Sequence, residues 1–118
     1  MAEATFSPND LLVSDVPVAT RNITLVSGQN LKRGAVIGNI TASDKYTLSA
    51  SASADGSQTP DLVLAIDCDA SAGDVVTAAY ASAAFDSTKL ILGAGHTPAT
   101  VEAAFRKKSA PLYVRVLK

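Results

Sequence analysis

Leu31–Ile40 reads LKRGAVIGNI and follows SGQN at 27–30. Two basic residues beside spaced glycines suit either a loop that cradles phosphate ahead of a helix or a turn that feeds a strand. The two readings lead to different folds. Gly28, Gly34 and Gly38 are spaced G-x5-G-x3-G, which matches neither G-x-G-x-x-G nor G-x4-G-K-[ST]. No helical pattern follows to aim N-terminal amides at an anion. The stretch therefore reads as turn and strand. Gly28 and Gly34 supply turn conformations on either side of Leu31, and Gly38 marks a bulge or a close backbone approach within the strand.

Working outward, the text stays β-like. NITLV at 22–26 and AVIGNI at 35–40 flank the turn, and KYTLSA at 45–50 puts Tyr46, Leu48 and Ala50 on one face. In ADGSQTP, Asp55-Gly56 forms a tight turn that Pro60 closes. DLVLAIDCD at 61–69 is a continuous apolar run expected to be one buried strand, and DASAGD turns the chain at Gly73-Asp74. In VVTAAYASAAF at 75–85, Val76, Ala78 and Tyr80 alternate with smaller or polar residues. One helix is predicted, in HTPATVEAAFRKK. Thr97 is its N-cap, Pro98 its first residue, and Val101, Ala104 and Phe105 its apolar stripe. Glu102 can pair with Arg106, and the basic run 106–108 suits the negative end of the helix dipole. Beyond Pro111, LYVRVL alternates Leu112, Val114 and Val116 inward as a last strand.

Residues 1–21 differ in character. Pro8 and Pro17 withhold backbone donors and push the residues before them into extended conformations, so this stretch reads as an arm bearing Leu11, Leu12, Val13, Val16 and Val18. Apolar side chains on an arm call for a partner surface. The remaining 22–118 form one β-rich domain, the size that 118 residues support. Apolar residues are 47% of the chain but aromatics only 5%, with no Trp. Large aromatic rings dominate most interiors, so a core filled by Ala, Val, Leu and Ile is expected to gain stability by self-association or by binding something larger.

Net charge is −1, yet unevenly placed: residues 44–74 carry six Asp and one Lys, and residues 86–118 carry six basic and two acidic side chains. This asymmetry suits head-to-tail subunit contact better than a nucleic-acid footprint, so no direct nucleic-acid partner is expected. No apolar run is long enough to span a membrane. MAEATFSPND lacks a basic n-region and an apolar h-region, which points to synthesis in a cytosol.

The candidate chemistry is weak. Asp67, Asp69 and Ser71 alternate as in a calcium loop, but Ala72 stands where glycine is needed and Ala78 where a bidentate Glu is needed. Cys68, between two aspartates, lacks the electropositive surroundings of a nucleophilic thiolate and reads as a small buried residue. His96 is the sole imidazole, and no G-x-S-x-G elbow accompanies it. No catalytic set, metal or cofactor is expected.

The ordered series NLKRGAVIG, DGSQTPDLVLAID and DASAGDVVTAAYASAAFDSTKLIL, then a short helix and a final strand, resembles the bacteriophage head decoration proteins of the lambda protein D family over roughly residues 22–118. The resemblance implies a compact, mainly β domain, barrel-like, with one short helix near the C-terminus and an extended N-terminal arm. It implies homotrimers on the outer surface of the expanded head, made in the host bacterial cytoplasm, that stabilise the shell against internal DNA pressure while the arm reaches the major capsid protein. Gly34 and Gly38, Asp55-Gly56 and Gly73-Asp74 fall on the family's scaffold turns, and the family offers no catalytic residues to transfer. ASAAF at 81–85 departs from it where glycine is frequent. The rival readings are a small β-rich domain that binds a ligand or protein in a pocket, and a hydrolase built on His96.

Overall fold

The computed structural model describes residues 12–13 and 18–115. Nine strands and one helix follow in order: β1 (Leu12–Val13), β2 (Ala19–Leu25), β3 (Asn30–Leu31), β4 (Val36–Ile40), β5 (Lys45–Leu48), β6 (Leu62–Leu64), β7 (Cys68–Asp69), β8 (Val75–Asp86), α1 (Pro98–Lys107) and β9 (Leu112–Arg115). A single 3-10 turn, Ser87–Lys89, leaves β8.

Strand pairing runs nearly in a circle. β2 lies antiparallel along β8 from Ala19↔Ser82 to Leu25↔Val75. On β8's other edge, β6 pairs Val63↔Tyr80 and Leu64↔Ala79. β6 pairs with β4 through Val36↔Val63 and Ile37↔Leu62, and β4 forms a hairpin with β5 from Ile37↔Leu48 to Ile40↔Lys45. The ring closes at a thin seam, where parallel β5 and β2 meet through the pair Leu25↔Tyr46 and a 2.9 Å bond from Val26 N to Tyr46 O. Directly opposed residues share a face. Ile23, Leu25, Ile37, Tyr46, Leu62, Leu64, Thr77 and Ala79 therefore all face one side, the interior, and all are buried. The architecture is a small, nearly closed β-barrel, as expected from the resemblance.

A second layer covers part of the outside, where Val36, Val63 and Tyr80 face outward yet are buried. The 90–92 segment is stitched on by Val36 N→Ile91 O and Ile91 N→Gly34 O, both 2.9 Å. Phe85 meets Tyr80 edge-on, with ring centroids 5.5 Å apart. The helix forms as its signals dictate. Thr97 accepts from Thr100 N in a reciprocal capping box, Pro98 opens the first turn, and Val101 and Phe105 are buried. It packs on β9, which runs parallel to β8 from Ala83↔Leu112 to Asp86↔Arg115.

Two sequence expectations, the single strand at 61–69 and the placing of Ala50 on the face of Tyr46 and Leu48, need correction, and the side taken by the alternating face of β8 is new. DLVLAIDCD is two short strands, not one: the chain leaves β6 after Leu64, exposes Ile66 and Asp67, and joins β3 through Leu31↔Cys68. Asp67 causes the break, because its carboxylate accepts from Arg33 N at 2.8 Å and so belongs to the 31–34 turn. The face shared by Val76, Ala78 and Tyr80 is the barrel's outer side, so Val76 is 68% exposed while Thr77 and Ala79 point inward. β5 ends at Leu48, and the buried residue after it is Ser49 instead of Ala50. Val116 lies outside the described residues.

Candidate functional site

The predicted turn residues act as scaffold. Gly28 and Gly34 adopt φ of 95° and 99°, in the left-handed region that favours glycine. Gly38 has a different reason: a Cβ there would sit 2.1 Å from the Ser57 carbonyl oxygen. Asp55 folds the next turn by accepting from Ser57 Oγ at 2.5 Å and Ser57 N at 3.0 Å, and Gly56 continues it at φ 103°. Those two bonds, side chain first, hold the Asp55 carboxyl below its ordinary range. Asp74, after Gly73, joins two loops by taking Lys45 Nζ at 2.5 Å and Ser27 N at 2.8 Å. The Lys45 hydrogen bond, then Ser27, lowers its pKa.

The arm residues divide. Leu11 and Val16 lie outside the described residues. Leu12 and Val13 form β1, paired antiparallel with β8 as Leu12↔Phe85 and Val13↔Ala84. Val18 is 51% exposed immediately before β2. The first three residues of β2 thus fall within the stretch 1–21. At ASAAF, register slips between Ala19 and Thr20, whose partners are Ser82 and Tyr80, so Ala81 is an extra residue. A bulge bends the strand there without glycine.

The carboxylates of DCDASAGD diverge. Asp67 serves the Arg33 amide and lies 3.9 Å from Lys32 Nζ, while Asp69 accepts from Ser71 Oγ at 2.6 Å and Ser71 N at 3.0 Å. Among the described residues, no group of three or more His, Cys, Asp or Glu side chains converges to hold a metal. Cys68 is buried in the β3–β7 ladder.

His96 has more partners than the sequence suggests. Its Nε2 lies 2.9 Å from the Gln58 carbonyl and 3.2 Å from Ser49 Oγ, and its Nδ1 lies 3.0 Å from Thr100 Oγ1. A carbonyl only accepts, so Nε2 carries the proton and donates to Gln58. Ser49 is buried and donates to the Ser57 carbonyl at 2.7 Å. The imidazole thus offers Ser49 no lone pair, and the ring is held by Gln58, Ser49 and Thr100, none of them a carboxylate. This geometry fastens α1 to the 49 and 58 loops and does not build a nucleophile. Two further polar clusters also escape sequence reading because their members are far apart in the chain. Arg33 donates to Tyr80 Oη at 3.1 and 3.2 Å, with its guanidinium 5.9 Å from the ring centroid. Asp61 takes Tyr46 Oη at 2.8 Å and an ion pair from Lys108, whose pKa is lowered by burial first and by Arg21's charge second.

No helix among the described residues is long and apolar enough to cross a membrane. The polar groups are consumed in holding loops, while Val18, Ile66, Val76 and Tyr113 remain exposed. The fold defines the class: a small, nearly closed β-barrel carrying one short helix. The sequence matches the profile of the bacteriophage lambda head decoration protein D family over residues 1–111, and the chain belongs to that family. It is a structural, non-enzymatic protein that decorates the phage head and sits on the capsid surface of the virion. No curated protein matches the sequence. The match begins at residue 1, so it takes in the leading stretch that the resemblance, starting near 22, left out.

Proposed function

We propose that this protein binds the outer surface of the expanded head as a homotrimer and cements it against the pressure of packaged DNA. In this reading the major capsid protein is gripped by the arm through Leu11, Leu12, Val13, Val16 and Val18. The observation that carries the reading is the family match, which includes those residues along with the barrel. An extended arm adds backbone hydrogen bonds to a strand edge while its alternate apolar side chains fill shallow pockets. Three arms on one trimer act at high effective concentration, so avidity exceeds single-arm affinity by roughly a hundredfold when the geometry fits. A ligand that binds only the expanded lattice stabilises that lattice by linkage. The test mixes purified protein with expanded, undecorated heads of its cognate phage and images the three-fold positions. Density there and heads more resistant to heat are expected; empty three-fold sites at saturating protein refute the proposal.

One observation favours a second reading, a pocket binder: a groove of about 490 Å3 between the 58–60 loop and α1, lined by Gln58, Pro60, His96, Ala103, Ala104 and Lys107 among others. Removing residues 1–18, which spares β2, separates the two. A decoration protein loses its shell, and a pocket binder keeps its ligand.

A further inference from the structure

One mouth of the barrel is closed by charged side chains. Arg21 stands directly opposite Ala79 in the β2–β8 ladder, so it belongs to the inner face with Ile23 and Leu25, yet it is exposed. From the interior, Tyr46 Oη donates to Asp61 Oδ2 at 2.8 Å. Lys108, the C-cap of α1, pairs with Asp61 Oδ1, and the two side chains are only 37% and 25% exposed. Both oxygens of that carboxylate are thereby taken. Burial first, and the charge of Arg21 second, lower the pKa of Lys108. Among the described residues Arg21 itself makes no hydrogen bond or ion pair. The cluster holds two cations and one carboxylate, and one positive charge is left without a counter-charge.

The other members each have a structural reason to be there. Lys108 suits the negative end of the helix dipole, and Asp61 is held by two donors. Arg21 has no such reason, since it repels Lys108 and forms no bond in return. A side chain that costs stability where it stands is the mark of a binding group. Lys108 also lines, with Lys107, the groove between the 58–60 loop and α1, so the cluster opens to the surface.

We infer that Arg21 and Lys108 form a carboxylate site at the mouth of the barrel, which takes an acidic side chain of the shell when the protein docks. The chemistry selects the ligand. A guanidinium presents a planar fork of donors that matches a carboxylate bidentately, and the ammonium beside it adds a point charge. One carboxylate cancels the single excess charge, whereas a phosphate dianion overshoots it and is repelled by Asp61. Docking removes water from the site and strengthens the pair. The inference rests on the decoration reading for its partner but not for its chemistry. Apolar arm residues grip without fixing direction, and this contact sets how the barrel is turned on the shell.

Two measurements on the full chain test it. In the first, free protein is titrated with sodium acetate against sodium chloride at equal ionic strength, and the Arg21 side-chain Nε–H is followed by NMR. A saturable shift with acetate alone is expected. No saturable shift, or the same shift with chloride, overturns the site. In the second, variants compete for expanded heads. Arg21→Gln is expected to bind about tenfold or more weakly, with Arg21→Lys intermediate because it keeps the charge without the fork. Arg106→Gln, which removes an exposed cation paired with Glu102, is expected to stay within about twofold. Equal losses in Arg21→Gln and Arg106→Gln mean diffuse attraction and overturn the inference. The thermal midpoint of Arg21→Gln is expected to be unchanged or raised, since the repulsion of Lys108 goes with it; a clear fall makes Arg21 a structural residue and also overturns it. An acetate response with undiminished head binding overturns the shell as the source of the carboxylate. Wild-type protein that leaves heads bare overturns the decoration reading, and the acetate titration then still decides the site.

Discussion

The backbone of Ser57 lies against the α-carbon of Gly38, so that a Cβ added there would come within 2.1 Å of the Ser57 carbonyl oxygen. That carbonyl also accepts the Ser49 hydroxyl at 2.7 Å, which ties it to a third segment and leaves it nowhere to retreat. Gly38→Ala is expected to cost about 2–3 kcal/mol by overpacking, measured by urea unfolding. Gly73→Ala meets nothing within 4 Å at an ordinary φ and is expected to stay within about 0.5 kcal/mol. Gly28→Ala has open space but a φ of 95° and is expected to cost on the order of 1 kcal/mol. An order other than Gly38, Gly28, Gly73 would show that close approach is not what fixes Gly38.

His96→Ala removes the donor to the Gln58 carbonyl and the neighbour of Ser49 Oγ. Loss of about 1–3 kcal/mol of stability is expected for the stranded groups. Ser49→Ala on top of it is expected to be non-additive by about 0.5 kcal/mol or more, since the two share one network. Capsid binding at a temperature where both variants are folded is expected to be unchanged. A binding defect without a stability defect would move His96 from scaffold to interface.

Acid is expected to loosen the turns. Asp55, Asp69 and Asp74 all have pKa values lowered from 3.8, by Ser57, Ser71 and Lys45 respectively as the largest causes. A carboxylate depressed in the folded state stabilises it above the unfolded pKa, and that stability disappears as pH falls through the folded one. Thermal midpoints are therefore expected to be level from neutral pH to about 5 and to fall below about 4. Asp74→Asn is expected to lower the neutral-pH midpoint and flatten part of that decline. An unchanged acid limb in this variant would remove Asp74 from the account.

Thr77 faces the barrel interior opposite Ile23, and its hydroxyl is buried without a protein partner. Thr77→Val keeps the β-branched shape and removes the unpaired group, so a gain of roughly 0.5–1.5 kcal/mol is expected. Denaturant unfolding measures it, and a loss would mean that the hydroxyl is satisfied in solution.

What was legible in the sequence is what neighbours decide. Thr97, Pro98, Val101 and Phe105 specify α1 within ten residues, and Gly28, Gly34 and Asp55-Gly56 specify turns through their own backbones. What was not legible depends on partners far along the chain. Asp67 interrupts the apolar run because of Arg33, 34 positions away. Tyr80 is buried on the outer face because Arg33 and Phe85 cover it, whereas Val76, four residues earlier on the same face, stays in solvent. His96 looked like an isolated imidazole because its partners Ser49 and Gln58 lie 47 and 38 residues upstream. Of the arm, its apolar character was readable, but not that Leu12–Val13 pair with β8.

β8, twelve residues long, touches β1, β2, β6 and β9. Any pull entering through the leading residues reaches this one girder broadside, along β1 or the seven rungs of β2. A pull directed along the strand axis loads those rungs together, a geometry that resists mechanical failure far better than opening them one at a time from an end.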